Sequence, residues 1–254
     1  MEKPRRTLAL EMRLSQALRT RPRRVVALLV AVLLATLLLA SLKWQGGRER
    51  TQLAAVQALT AQQQAAAAAQ VAAYVPQQWG GASTNKTQSA LVARVALALT
   101  SKSDAGKANP PLHFHLMAEA NSLNIYALGG EIYLTTALLN RMQTEGQLAA
   151  AMAHAAAHAL AHDGLTAVAQ ATPLWQYSVS QEQLADMLTV KLMGQAGYDP
   201  HAFARMLMVL AKAYHDGADV AFFTTHPNMA ERLTVLDATI AALYPQGVSQ
   251  LLSK

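Results

Sequence analysis

Two kinds of hydrophobic pattern follow one another along the second half of the chain. Short alternating segments predict strands, with Gly129-Gly130 as the turn of a hairpin. Longer segments with apolar residues at helical spacing predict helices. The strands are expected at 112–117, 124–128 and 131–135, and the helices at about 90–100, 136–142, 146–162, 180–196, 200–214 and 229–244. A helix, a small sheet and then several helices predict an α+β fold that is mostly helical.

A different pattern lies near the N-terminus. Residues Val25 to Leu42 carry no charge, and as a helix these 18 residues rise roughly 27 Å, which suits the core of a bilayer. Trp44 follows at the position of a membrane interface. A buried core helix and a cleaved signal peptide are the alternatives. The 24 residues before the apolar segment are long for a signal peptide, so a single transmembrane signal anchor is favoured.

The charge of the chain is concentrated before this segment. Residues 1–24 hold eight basic and two acidic residues, which accounts for the whole net charge of +6. The basic excess therefore indicates membrane topology and not a nucleic-acid surface. The positive-inside rule places the N-terminus in the cytoplasm and the rest of the chain across the membrane. In a bacterium this predicts an inner-membrane protein whose main domain is periplasmic.

The composition divides the remainder into a linker and a globular part. An alanine- and glutamine-rich segment ends at Pro76 and Gly80-Gly81, and its composition favours a helical stalk. The predicted organisation is a basic tail (1–24), the anchor (25–42), the linker or stalk (43–82) and a globular domain (83–254).

Two histidines on one predicted helix are the first candidates for chemistry. His154 and His158 stand four residues apart, which places both imidazoles on one face within reach of one metal ion. Zinc peptidases use this spacing as H-E-x-x-H, where the glutamate is the general base. The equivalent position here is Ala155, so the general base is missing.

The residues around this pair resemble a known family. Residues 124–164 resemble the core of the HtpX-like and CaaX-prenyl-protease-like zinc metallopeptidases, Peptidase family M48. Further matches follow in order, at Leu184-Ala185-Asp186, at Ala196 to Pro200, at Thr225-His226-Pro227 and at Arg232. The resemblance covers roughly residues 85–242 and implies a zincin-like metallopeptidase domain.

The resemblance also assigns roles to individual positions. It implies a third zinc ligand at the glutamate of an E-A-D motif, where this chain has Leu184, and Glu182 lies nearly opposite on the helix. It implies that Asp186 supports the metal site, with a charge on the helix surface as the open alternative. It also implies that His226 and Arg232 line the cleft, although a role in bracing the loop before the last helix is slightly favoured for both. With Ala155 and Leu184 in place of two glutamates, no bound cofactor is expected, although the family uses zinc.

Two other groups of residues draw attention. His113 and His115 share one face of the first predicted strand. That strand would form the edge along which family members place an extended substrate, but a solvated strand face is the favoured interpretation of the two histidines. His162, Asp163, His201 and His215 are expected to be ordinary surface residues.

These observations favour a non-catalytic pseudopeptidase that binds a polypeptide or a membrane-complex partner. The alternative is an active zinc metalloendopeptidase with a rearranged site that recruits Asp163, His162 or Glu182. A stalk protein whose cleft has no role is a third possibility.

The anchor generates a prediction about topology. A reporter that is active only in the periplasm, fused after Lys254, should be active, because the positive tail holds the N-terminus in the cytoplasm. A mature N-terminus found beyond Ser41 would show instead that the segment is cleaved and the domain secreted.

Overall fold

The computed structural model describes residues 61–161, 163, 177–217 and 229–248. Their order is helix, helix, a three-stranded sheet and then five further helices within these ranges. The α-helices are α1 (Ala61–Gln78), α2 (Lys86–Lys102), α3 (Thr136–Arg141), α4 (Glu145–Leu160), α5 (Val179–Ala196), α6 (His201–His215) and α7 (Met229–Leu243). A 3₁₀ helix spans Asp104–Lys107, and the strands are β1 (His113–Met117), β2 (Ile125–Leu128) and β3 (Glu131–Thr135).

The sheet has the order β1-β3-β2. β1 pairs with β3 in parallel, with His113 opposite Glu131 and His115 opposite Tyr133. β2 and β3 form the antiparallel hairpin that the Gly129-Gly130 turn predicted. One face of the sheet, with Leu116, Ile132 and Leu134, joins the hydrophobic core.

Helix α4 lies at the centre of that core. It packs against α2, α5, α6 and β2. Every residue from Gln147 to His158 is buried, and most of them are alanines. Small side chains allow the neighbouring helices to approach closely on all sides, so the two histidines of α4 are enclosed by packed helices.

Side-chain caps fix the residues at which α4 and α5 begin. The Thr144 side chain accepts a hydrogen bond from the Gln147 backbone at the start of α4. At the start of α5, Ser178 and Gln181 form a reciprocal capping box, which satisfies two backbone donors that the helix leaves without partners. Each cap sets where its helix begins, and therefore which residues face the neighbouring helix.

The predicted class, mostly helical with a small sheet, is confirmed, and the predicted helix and strand ranges agree with the structure within a few residues. The stalk segment contains α1, which continues through Pro76, and Val75 near its end is buried. No helix among the described residues is long and apolar enough to span a bilayer. The predicted anchor at 25–42 lies outside the described residues and stays a prediction.

The contact between α5 and Tyr244 generates a prediction about stability. A Cβ at Gly194 would lie 1.7 Å from the Tyr244 hydroxyl oxygen and 2.5 Å from its ring carbon, so Gly194→Ala forces the ring to move. Overpacking of this kind costs about 1–3 kcal/mol in the free energy of unfolding, measurable by urea denaturation. In a Tyr244→Ala background the same change should cost much less, because the clash is gone. Equal costs in both backgrounds would contradict this account.

Candidate metal centre

The side chains of His154 and His158 meet inside the protein. Both rings are buried, with relative exposures of 2% and 4%. Their Nε2 atoms lie 3.1 Å apart, and the rings stand edge to face. The i, i+4 spacing on α4 therefore aims two nitrogen ligands at one point.

A carboxylate from α5 completes the group. Glu182 is fully buried, with Oε2 at 3.4 Å from His154 Nε2 and Oε1 at 3.6 Å from His158 Nε2. Ligand atoms of the three residues lie within 4.8 Å of one another. Two imidazoles and one glutamate form a ligand set that catalytic zinc sites use.

The expectation that Leu184 occupies the third ligand position is wrong. Leu184 points outward and is 43% exposed, whereas the face of α5 that meets α4 carries Glu182, Asp186 and Thr189. Two residues along a helix correspond to about 200° of rotation, so a ligand at position 184 could not face the histidines while Glu182 does. Three candidate ligands, His154, His158 and Glu182, are therefore brought together.

The separations between the candidate ligand atoms can be compared with those around a tetrahedral ion. Bonds of about 2.0–2.1 Å at tetrahedral angles place ligand atoms roughly 3.2–3.5 Å apart. The two histidine Nε2 atoms lie 3.1 Å apart, while the contacts of 3.4 and 3.6 Å are made by different oxygens of Glu182, Oε2 to His154 and Oε1 to His158. One atom from each residue lies within 4.8 Å of the others, so the three side chains converge on one point, where one oxygen of Glu182 would take the ligand position.

A second carboxylate orients His158. Asp163 Oδ2 lies 2.8 Å from His158 Nδ1, and Gln181 Nε2 donates to Asp163 Oδ1 at 2.8 Å. Asp163 was expected at the surface, but it is only 5% exposed. A hydrogen bond of this kind directs Nε2 of a histidine toward a metal. Gln181 thus connects the cap of α5 to the histidine.

A third carboxylate supports the other histidine. Asp186 Oδ1 lies 3.4 Å from His154 Nδ1, and Thr189 Oγ1 lies at the same distance from that nitrogen. Arg232 of α7 makes a bidentate ion pair with Asp186, at 2.6 and 2.8 Å, and Arg232 Nη2 approaches Glu182 to 3.8 Å. Arg232 is buried between α5 and α7, whereas His226 lies outside the described residues.

The charge around the histidines also fits a divalent ion. Among the described residues, three buried carboxylates (Asp163, Glu182 and Asp186) and one buried guanidinium (Arg232) surround them. With neutral histidines this leaves two negative charges in a low-dielectric interior, which is costly unless they are compensated. A bound zinc ion would neutralise them, and it would also polarise a carbonyl and acidify a bound water.

The surroundings shift the two histidines in opposite directions. Burial lowers the pKa of His154 to about 4. Burial would also lower the pKa of His158, but hydrogen bonds to Asp163 and Glu182 outweigh it and raise that pKa to about 9. Burial thus favours the neutral form of His154, while the carboxylate contacts favour the charged form of His158. Because ligation needs both rings neutral, metal binding releases a proton.

The position next to His154 carries no acid or base. Ala155 is 4% exposed, and a methyl group cannot accept a proton from water. On the other side of the pair, the Tyr177 ring stacks on His158 at 4.0 Å between centroids. Burial raises the pKa of Tyr177 well above its ordinary value, so this phenol is a poor proton acceptor at neutral pH.

A cavity opens beside His158. Its volume is about 210 Å³, and it is lined by His158 and Leu160, by Ala127 to Gly130 of the hairpin and by the segment from Lys107 to Leu112. The strand that borders this cavity at the edge of the sheet is β2. The strand with His113 and His115, β1, lies at the opposite edge of the sheet, where Ala82 bridges Met117.

With this geometry established, comparison with known proteins identifies the class. The model of Peptidase family M48 matches residues 83–177 and 166–240. The match covers more than half of the chain, so the chain belongs to Peptidase family M48. A search of curated proteins found no match.

Sequence reasoning missed Glu182, although a signal for it was present. Asp186 was expected to support the metal site, and Glu182 precedes it by four residues, which places both on one helical face. Leu184 stands two residues from each of them and cannot share that face. The spacing to Asp186 was therefore a better guide than the local resemblance to E-A-D. Asp163 carried no comparable signal, because nothing in the local sequence indicates that it contacts His158.

The corrected ligand set generates a prediction about metal. The purified full-length chain should retain zinc through dialysis, as measured by elemental analysis. Glu182→Gln should lower zinc affinity by at least about ten-fold, since even loss of an outer partner of a ligand costs that much. Leu184→Gln is the matched control on the same helix and should leave the affinity unchanged. An affinity that Glu182→Gln leaves unchanged would contradict the assignment of Glu182 as the third ligand.

Proposed function

We propose that this M48-family chain is a membrane-anchored pseudopeptidase that holds a zinc ion without hydrolysing peptide bonds. One observation carries the proposal: the ligand set of His154, His158 and Glu182 is complete, while the position of the general base is a buried alanine. Hydrolysis needs a base as well as a metal. The residues that bind the metal have been kept and the residue that moves the proton has not.

The nearby carboxylates are committed to other contacts. Both oxygens of Asp163 are engaged, one by His158 and the other by Gln181. Both oxygens of Asp186 are engaged by Arg232. Glu182 stands in the ligand position. Recruiting any of them as a base would break a contact that supports the metal site.

The ligand that this site best suits is an extended polypeptide. β2 is an edge strand beside the cavity at His158, and an edge strand can pair with an added chain through main-chain hydrogen bonds. Side chains of the bound peptide would then alternate toward and away from the cavity. A segment of a membrane-complex partner would bind in the same manner if the anchor at 25–42 holds the domain on the periplasmic side of a bacterial inner membrane.

The alternative is an active zinc metalloendopeptidase with a rearranged site. The completeness of the ligand set favours it, because a site kept for binding alone does not require three metal ligands. Of the three replacement bases that the sequence suggested, Asp163 and Glu182 are committed as described, and His162 lies outside the described residues.

A single substitution separates the two functions. Since the metal ligands are complete, Ala155→Glu alone should produce chelator-sensitive cleavage of casein, with a gain of roughly 10²–10⁴ over the natural chain, the usual contribution of a positioned base. Ala155→Gln has nearly the same shape without the carboxylate, and it should remain inactive. Zinc content measured for both variants shows whether the longer side chain is accommodated.

Two outcomes would contradict the proposal that the chain is a pseudopeptidase because it lacks a base at position 155. Chelator-sensitive cleavage by the natural chain that disappears in His158→Ala would establish the active enzyme. An equal gain for the glutamate and glutamine variants would show that position 155 does not act through proton transfer.

A further inference from the structure

A second cluster of metal-ligating side chains lies on the sheet, outside the site described above. His113 and His115 are two residues apart on β1, so their side chains project from the same face of the sheet. Glu131 on β3 is the register partner of His113, and paired residues share a face. Two imidazoles and a carboxylate are thus gathered on the face opposite the core residues Leu116 and Leu134.

Two members of this cluster are already in contact. His115 Nε2 lies 2.5 Å from Glu131 Oε2. The His115 ring also stacks on Tyr133, with centroids 4.9 Å apart and planes inclined by 21°. Tyr133 is buried, so this stacking fixes the orientation of the imidazole. A histidine held by an aromatic ring next to a carboxylate has little rotational freedom left to lose when an ion binds.

The third member can reach the pair by rotating its side chain. The His113 ring stands outside coordinating distance of the other two groups as placed, and it is exposed to solvent. Its Cα is the direct neighbour of Glu131 across the pair of strands, where the spacing is about 4.8 Å. Because His113 is exposed, rotation about its side-chain bonds costs little. His115 and Glu131 remain accessible, with side-chain exposures of 42% and 29%.

We propose that His113, His115 and Glu131 form a second, solvent-accessible site for a divalent transition-metal ion such as Zn²⁺. Imidazole and carboxylate ligands suit Zn²⁺, and an exposed site leaves the remaining coordination positions to water. The site shares no residue with the buried group of His154, His158 and Glu182, so it does not depend on the proposed function. An ion bound there would connect β1 to β3 through these three side chains.

The test is calorimetric titration of the full-length chain with Zn²⁺ after the buried site has been saturated. We expect one further binding event. His115→Ala should abolish it, and His113→Ala and Glu131→Gln should each weaken it by at least about ten-fold. His201→Ala is the matched control, because His201 also pairs with a carboxylate, at 2.8 Å from Asp199, at a similarly exposed position. It should leave the binding event unchanged.

The same titration in a His154→Ala, His158→Ala background should retain this event and lose the tight one. Three results would overturn the proposal. These are the absence of a further event in the natural chain, an affinity that His113→Ala does not change, and a loss that His201→Ala causes equally. Because His113 and His201 are exposed, their variants keep the fold, and circular dichroism verifies this for each.

Discussion

Burial of charge between α4 and α5 is the constraint on which the rest of the structure depends. Three carboxylates, one guanidinium and two imidazoles lie in an interior that is otherwise mostly apolar. Ionised groups in such surroundings destabilise the fold unless each one is paired and hydrogen-bonded. The bidentate contact of Arg232 with Asp186 and the contacts of Asp163 with His158 and Gln181 compensate part of the buried charge. A divalent ion would compensate the rest.

The alanine-rich character of α4 explains how this arrangement fits in a small domain. A helix with methyl groups on nearly every side allows α2, α5, α6 and β2 to approach closely, so ligands from α4 and α5 meet without long side chains. The same surface makes the replacement of a glutamate by Ala155 structurally mild. Binding and proton transfer therefore occupy separable positions here: the first needs the face shared by α4 and α5, and the second needs one residue beside it.

Much of the fold could be predicted from the sequence, because it depends on local pattern. The hairpin followed from two alternating segments around Gly129-Gly130, and the helices followed from apolar spacing. Half of the metal site followed from the spacing of His154 and His158. These features are encoded over a few residues, and no knowledge of the tertiary structure is needed to find them.

The rest of the site depends on contacts between distant segments. Glu182 was passed over because a motif was matched by its letters, while the helical face shared with Asp186 was not followed. Asp163 was placed at the surface because nothing in the local sequence indicates its contact with His158. Arg232 was expected to brace a loop or line a cleft, and its partner Asp186, 46 residues earlier in the chain, was not foreseen. Such pairings are determined by how helices pack, which one sequence does not reveal.

The attachment of α5 to the last helix has a kinetic consequence. Arg232 holds α5 at Asp186, and Tyr244 packs against it at Gly194, eight residues or roughly 12 Å further along the axis. Two contacts at separate heights prevent α5 from turning about its own axis. Glu182 is itself fully buried on this helix, so it can leave the histidines only when the packing around α5 opens. An ion captured in this centre would therefore exchange slowly with solvent, because its release requires that opening.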